Sequence, residues 1–292
     1  MKMPKFIVEK TEAPLCAVDF LRLRVPAAPA AYLKQLLKKG KVRGRSGVLK
    51  GSDLLQAGEL LQLPDSGRLL ELLATPAACL QELRILYESR EILVVDKPAG
   101  LAVHAGQGHE QANLTDQVES FLLKRGIRFK VAPVHRLDLE TSGPVLFGKG
   151  KQACGRLGQL FMRQEVDKSY LALVAGRTPG SGRLESQLTA KGKEKQARTD
   201  FRALFRNEQA SLLELQLHTG RQHQIRRQLA AQGHPLFGDK RYRGPCPADL
   251  PRMFLHCNRL AFVDPFSESP ISIESPLPED LAIFLPCVNI TL

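Results

Sequence analysis

The 292-residue sequence contains no apolar run long enough to span a bilayer as a helix, so no membrane partner is expected. Its first ten residues carry neither the apolar core nor the cleavage site of a signal peptide, and a cytoplasmic location is the expectation. The six cysteines, at positions 16, 79, 154, 246, 257 and 287, form no C-x-x-C pair and stand in no Cys/His spacing that a zinc ion would require. Reduced thiols, no disulfide and no metal are therefore expected. Internal repeats and low-complexity segments are also absent, which argues against a solenoid or a fibrous chain.

What the sequence does have is positive charge. Lys and Arg number 42 against 30 Asp and Glu, a net charge of +12, with a pI near 9.6. Such a balance suits a polyanionic partner, although a basic surface can also serve solubility alone. Its distribution is uneven: half of the excess falls within residues 1–80. Residues 34–50 hold Lys34, Lys38, Lys39, Lys41, Arg43, Arg45 and Lys50 and no acid at all. The length allows two domains. A junction is read at residues 64–76, within which residues 69–74 could add a short strand, and the domains are expected at 1–80 and 81–292.

Around the basic cluster, residues 30–39 pattern as a short helix with Leu33, Leu36 and Leu37 on one side, ended by Gly40. A strand starts at Val42, turns fall at Gly44 and Gly47, and residues 59–63 form a second strand. This module, from Leu33 to Leu63, resembles the S4 RNA-binding domain. It departs from that pattern in the Gly44-Arg45-Ser46-Gly47 turn and in a poorly marked first helix near residues 20–29. The resemblance implies a small α/β domain in which Lys34, Lys38, Lys39, Lys41, Arg43 and Arg45 contact RNA.

Beyond residue 83 the pattern is mixed. Strands are expected at residues 92–95, 145–147, 169–174 and around Leu213, Leu215 and Leu217, where apolar and polar residues alternate. Helices are expected at 114–125, 152–163 and 222–232, the first and last ended by Gly126 and Gly233. Four stretches carry more chemistry than plain structure needs. His135-Arg136-Leu137-Asp138 with Thr141-Ser142-Gly143 crowds an imidazole, a guanidinium, a carboxylate and hydroxyls into one loop before a strand. Residues 218–226 end a strand and open a helix with Arg221, His223 and Arg226, a setting that suits an anion. Tyr170 enters an apolar strand just after Lys168, and residues 95–104 hold a Lys97-Pro98-Ala99-Gly100 turn. Each taken alone has an ordinary explanation: a local ion pair, a solvated helix end, a core tyrosine, a turn.

Their order and combination resemble the RluA family of pseudouridine synthases, from about Leu86 to Leu281. Three local departures are Pro144, Phe147-Gly148-Lys149 and Gln228. The resemblance implies an α+β catalytic domain with a large mixed, mainly antiparallel sheet and a central basic cleft. It implies isomerisation of uridine to pseudouridine in structured RNA without a cofactor, with large-subunit ribosomal RNA the first candidate and transfer RNA the second. It makes Asp138 the catalytic carboxylate, Arg226 its ion-pair partner and Tyr170 a group against the base or ribose, possible as a base. His135, Arg136, Thr141, Arg221 and His223 are then substrate contacts, with Arg227 and residues 191–198 as further basic candidates. A monomer is expected. A non-catalytic RNA-binding protein on the same fold is the main competing reading, and an aspartate-dependent hydrolase a weaker one. The combined Asp138, Tyr170 and Arg226 set argues against the first. The lack of a second water-activating carboxylate argues against the second.

Overall fold

The computed structural model describes residues 3–10, 13–74, 83–104, 113–190 and 192–290. The chain divides into two compact units, Met1–Leu83 with His104–Lys130, and Arg84–Val103 with Val131–Leu292.

In the first unit, β1 (Lys5–Ile7) and β2 (Leu15–Cys16) precede α1 (Ala17–Arg24) and α2 (Ala30–Lys38). Then follow β3 (Arg43–Gly44), β4 (Gly47–Val48), β5 (Leu54–Leu55), β6 (Leu60–Gln62), α3 (Gly67–Ala74) and α4 (Leu114–Lys124). A four-stranded sheet runs β1-β6-β3-β4, and β2 pairs with β5. Helix α2 forms where the leucine spacing predicts it. Leu33 and Leu37, one turn apart, are buried, and Gly40 ends the helix with φ +64°. Lys34, Lys38, Lys39, Lys41, Arg43, Arg45 and Lys50 are all exposed. Helix α1 occupies the region where the first helix is poorly marked in sequence, burying Phe20 and Leu21 at 0% exposure. Residues 69–74 are helical and not a strand. The Ser66 hydroxyl accepts the Leu69 N–H at 3.3 Å, so the apolar run starts from a capped turn and turns Leu69 inward.

Helix α4 belongs to this first unit although it lies beyond residue 81. Leu123 joins the core built on Phe20, Leu33 and Leu61. Asp116 accepts the N–H of Ala30 at 3.3 Å, and Arg22 pairs with Glu119. Cys79 lies outside the described residues.

The second unit contains β7 (Arg84–Glu88), β8 (Ile92–Lys97), β9 (Val131–Pro133), β10 (Gly143–Lys149), α5 (Lys151–Arg163), β11 (Val166–Ala175), β12 (Ser181–Ala190), β13 (Lys193–Arg206), β14 (Ala210–Leu217), α6 (Gln224–Ala231), β15 (Leu255–Val263), β16 (Pro270–Glu274) and α7 (Glu279–Ala282). The single large sheet expected from the sequence is two antiparallel sheets here, β7-β8-β10-β9 and β12-β13-β14-β11-β15-β16. One parallel bridge, Ser142 to His256, links them. Leu157, Leu160, Val166, Leu260 and Phe262 fill the core with Ile92, Val94 and Leu146 of the smaller sheet.

The bridge requires glycine at 143. Its φ is +124°, and a Cβ there would stand 2.2 Å from the Cys257 carbonyl oxygen. Gly150 makes an internal control, because its φ is +97° but its Cβ would meet nothing within 4 Å. Gly143→Ala should therefore lose about 3 kcal/mol or more of stability, strain and overlap together. Gly150→Ala should lose less, about 1–3 kcal/mol from backbone strain alone. Denaturant unfolding of the two variants checks this, and equal losses would remove the close-packing account of Gly143.

Candidate active site

The loop between β9 and β10 carries Asp138, and three sets of contacts hold it. Lys97, fully buried at the end of β8, donates from Nζ to the carbonyls of Pro98 (2.9 Å), Leu101 (2.9 Å) and Leu139 (3.1 Å). The Gly100 N–H donates to the same Leu139 oxygen at 2.9 Å. The 97–101 turn is thus a clamp on the Asp138 loop. Burial pushes Lys97 down to about 7, with the Arg252 charge adding to the fall and Asp138 opposing it.

The far end of the loop is tied by Arg252 and His256. Arg252 donates to the Glu140 carbonyl and the Ser142 hydroxyl, both at 3.2 Å, while Asp280 holds its Nε at 2.6 Å. The His256 ring spans from the Ser142 hydroxyl to the Ser275 carbonyl, each 2.9 Å away, and Ser275 in turn donates to Asp96 at 2.9 Å. At the near end, His135 Nε2 accepts the Leu146 N–H at 3.0 Å, which fixes a neutral ring protonated on Nδ1. Burial, with Lys168 nearby, pushes its pKa down to about 3, and Phe161 stacks on it at 4.8 Å.

Asp138, Tyr170 and Arg226, 32 and 56 residues apart in sequence, line one cavity of about 440 Å³. His135, Arg136, Thr141, Arg221 and His223 line it too, whereas Arg227 and the described residues of 191–198 do not. Arg136 is exposed. Thr141 is 2% exposed and its hydroxyl has no hydrogen-bond partner among the described residues, so a donor or acceptor is free to face a ligand.

The expected ion pair takes an uneven form. Arg226 grips Asp239 with Nε at 2.7 Å and Nη2 at 2.8 Å, leaving Nη1 to reach Asp138 at 3.4 Å. Asp239, whose side chain is 0% exposed, also caps the N–H groups of Arg241 and Tyr242 at 3.1 and 3.2 Å. The Tyr242 ring lies 5.1 Å from the guanidinium carbon. Asp239 therefore aims the arginine, and Asp138 receives the remaining corner. His223 Nε2 is 3.8 Å from Asp138 and its Nδ1 is 3.2 Å from the Tyr242 hydroxyl. His223 is in the left-handed region with φ +52°, so the helix begins at Gln224 rather than at residue 222. The buried Gln224 amide holds that turn, its oxygen taking the Thr219 hydroxyl at 2.7 Å and the Arg221 N–H at 3.1 Å.

Tyr170 sits in β11, opposite Leu215 on one side and Cys257 on the other. It is 5% exposed, and burial, the Cys257 thiol and Asp138 together hold its pKa well above the usual phenol value. In this setting the phenol is favoured over the phenolate. Gln228, one of the departures noted above, is structural. Its amide donates to the Leu184 and Ala197 carbonyls and accepts the Thr199 hydroxyl at 2.7 Å, anchoring α6 on β12 and β13. Of the basic stretch 191–198, Lys191 lies outside the described residues, while Lys195 is exposed on β13.

Sequence reasoning gave Lys97 only as part of a turn and assigned no role to Asp239 or Arg252. The signal for Lys97 was a charge at the end of an apolar strand. Arg252 carried none, because its partners Glu140 and Ser142 are more than 100 residues away.

Comparison with known proteins bears on this cavity. Residues 91–231, which contain Asp138, Tyr170 and Arg226, match the family model described as RNA pseudouridylate synthase. A Bacillus subtilis protein, "Uncharacterized RNA pseudouridine synthase YhcT", is 36% identical over 68% of this chain and 70% of its own length. The "Ribosomal large subunit pseudouridine synthase C" of Vibrio vulnificus is 30% identical over 90% of this chain and 89% of its own. Among solved structures, "Human RNA Pseudouridylate Synthase Domain Containing 1" matches with a TM-score of 0.55 and 26% identity, over 72% of this chain and 87% of that one. With relatives at this level of identity covered over two thirds of their length or more, and a family match that includes Asp138, Tyr170 and Arg226, the chain belongs to the RluA-type RNA pseudouridine synthases.

Proposed function

We propose that this protein isomerises particular uridines of large-subunit ribosomal RNA to pseudouridine, with Asp138 as the catalytic carboxylate. The observation that carries the reading is the convergence of Asp138, Tyr170 and Arg226 on one cavity. Curated relatives named as ribosomal large subunit pseudouridine synthases support the choice of RNA. The reaction breaks the bond from ribose C1′ to uracil N1 and joins C1′ to C5 of the same base. The C5 hydrogen leaves and N1 gains one, so atoms balance without a cofactor.

Each residue has a part in this. Asp138, 19% exposed at the cavity wall, is the nucleophile or the charge that stabilises the separated sugar. Arg226, aimed by Asp239, steadies that carboxylate through Nη1 without enclosing it. Tyr170 packs against the base and donates its hydroxyl. Thr141 offers a hydroxyl, and Arg136, His223 and Arg221 hold the flanking backbone of a nucleotide drawn out of its stack. The first unit acts as an S4-like RNA-binding module through Lys34, Lys38, Lys39, Lys41, Arg43 and Arg45, which share an exposed basic stretch. The protein works in the cytoplasm as a monomer.

A pseudouridine map of total RNA from cells with and without the gene tests the activity and gives the site. On that RNA, Asp138→Asn should abolish isomerisation while binding and thermal unfolding stay near wild type. Substantial turnover by this variant would sink the assigned role. The Arg226 geometry gives a sharper result. Arg226→Ala strands the buried Asp239 and should cost about 3–5 kcal/mol of stability. Adding Asp239→Asn should restore part of it, whereas adding Asp138→Asn should restore little. Rescue by Asp138→Asn alone would reverse the assignment of the principal partner. For the first unit, replacing Lys34, Lys38, Lys39 and Arg43 with Gln should weaken RNA binding. For every phosphate that a removed cation had neutralised, the slope of log K against log salt should flatten by about 0.7–0.9. An unchanged slope would take this unit out of the RNA-binding account.

A further inference from the structure

Lys168 is a buried lysine with no ion pair among the described residues. It stands on β11 two residues before Tyr170 and is 9% exposed. Among the described residues no oxygen lies within hydrogen-bonding distance of its ammonium. The Phe161 ring centroid is 5.6 Å from its ammonium, and a Cβ on Gly220 would stand 3.9 Å from Nζ. Burial lowers its pKa, and Cys257 and Asp167 only partly oppose this. Asp167 itself accepts from Gln216 at 3.1 Å. A charge taken out of water without a partner is unfavourable and, where it persists, calls for a ligand that neutralises it.

Its position says which ligand. Next to the Asp138 cavity lies a second one of about 410 Å³, and the two share Val134, Phe161, Lys168, Gly220 and Arg221. Both volumes are in the range of small-ligand sites. Beyond the common wall the second cavity has an apolar side, with Val166 and the 77%-exposed Met162. Both cations of the shared set, Lys168 and Arg221, therefore stand where one cavity meets the next. A polynucleotide carries one negative charge between each two nucleosides. A chain that places one nucleoside in each cavity puts that charge at the wall.

We infer that the second cavity receives the nucleotide adjoining the target uridine, and that Lys168 and Arg221 hold the phosphodiester between the two. The inference rests on the reading that uridine occupies the Asp138 cavity. Phe161 and Met162 give the neighbouring base an apolar face that does not depend on its identity.

The test uses the full chain and the dinucleotide uridylyl-3′,5′-uridine, with uridine and the methylphosphonate analogue of the dinucleotide as controls. Affinity and the ¹³C methyl resonance of Met162 are both followed by NMR titration. Wild type should bind the dinucleotide about ten- to a hundredfold more tightly than uridine, the gain expected of a charge-assisted contact. Neutralising the linkage or making Lys168→Met should each remove most of that gain, and the two together should remove no more than either alone. The Met162 methyl should move with the dinucleotide and stay in place with uridine. Lys168→Met should unfold at the same temperature as wild type or higher, since it removes a buried charge. Equal affinity for uridine and dinucleotide, or losses that add, would overturn the inference; addition would assign Lys168 to the base or ribose instead. These readouts do not use turnover. Isomerisation without dinucleotide coupling sinks this inference alone, and coupling without isomerisation sinks the proposed activity alone.

Discussion

The backbone contact between Ser142–Gly143 and Cys257 is the constraint on which the site depends. It joins the two antiparallel sheets of the catalytic unit at one point, by a parallel bridge and a hydrogen bond of 2.8 Å from the Cys257 N–H to the Ser142 carbonyl. Asp138 belongs to the loop that ends there, and Tyr170 pairs with Cys257 itself. One crossing therefore sets the separation of the carboxylate from the phenol. The supports around it, Lys97 on the loop carbonyls and Arg252 and His256 on Ser142, are all buried or nearly so. Groups that must stay in place are best held by a rigid shell, and Lys97 and His256 supply the fully buried part of this one.

The charge arrangement follows a related logic. A guanidinium shared equally with Asp138 would bind that carboxylate by two short bonds and close its oxygens off from the cavity. Here Asp239 takes the Nε–Nη2 edge, which is the strong bidentate geometry. Asp138 receives a single longer contact and keeps an open side. The neutral His135 and neutral Tyr170 add no competing charge within the cavity, so the field there is set by Asp138, Arg226 and the flanking basic residues.

Much of this was legible in the sequence because the functional residues fall in compact stretches separated by glycines and apolar runs. The 135–143 loop, the tyrosine strand and the 218–226 turn could be placed on a loop, a strand and a helix start by pattern, and the residues that the family resemblance singled out in them line one cavity. What was not legible is tertiary. No local pattern distinguishes Asp239 from any other acid after a glycine, and only folding brings it to Arg226. The 69–74 run has too few residues to tell strand from helix by pattern, and the Ser66 cap decides it. The division of one broad sheet into two depends on how β10 and β15 meet, which strand alternation does not encode.

The assignment of α4 to the first unit has a consequence for synthesis. The core around Phe20, Leu33 and Leu61 includes Leu123, and the first unit's polar ties to Asp116 and Glu119 come from the same late helix. On the ribosome this unit is still incomplete when its first 83 residues have emerged. It waits until strands β7 and β8 of the other unit and then α4 itself have left the exit tunnel. Folding of the two units is therefore interleaved in time, and no single proteolytic cut can release either one whole.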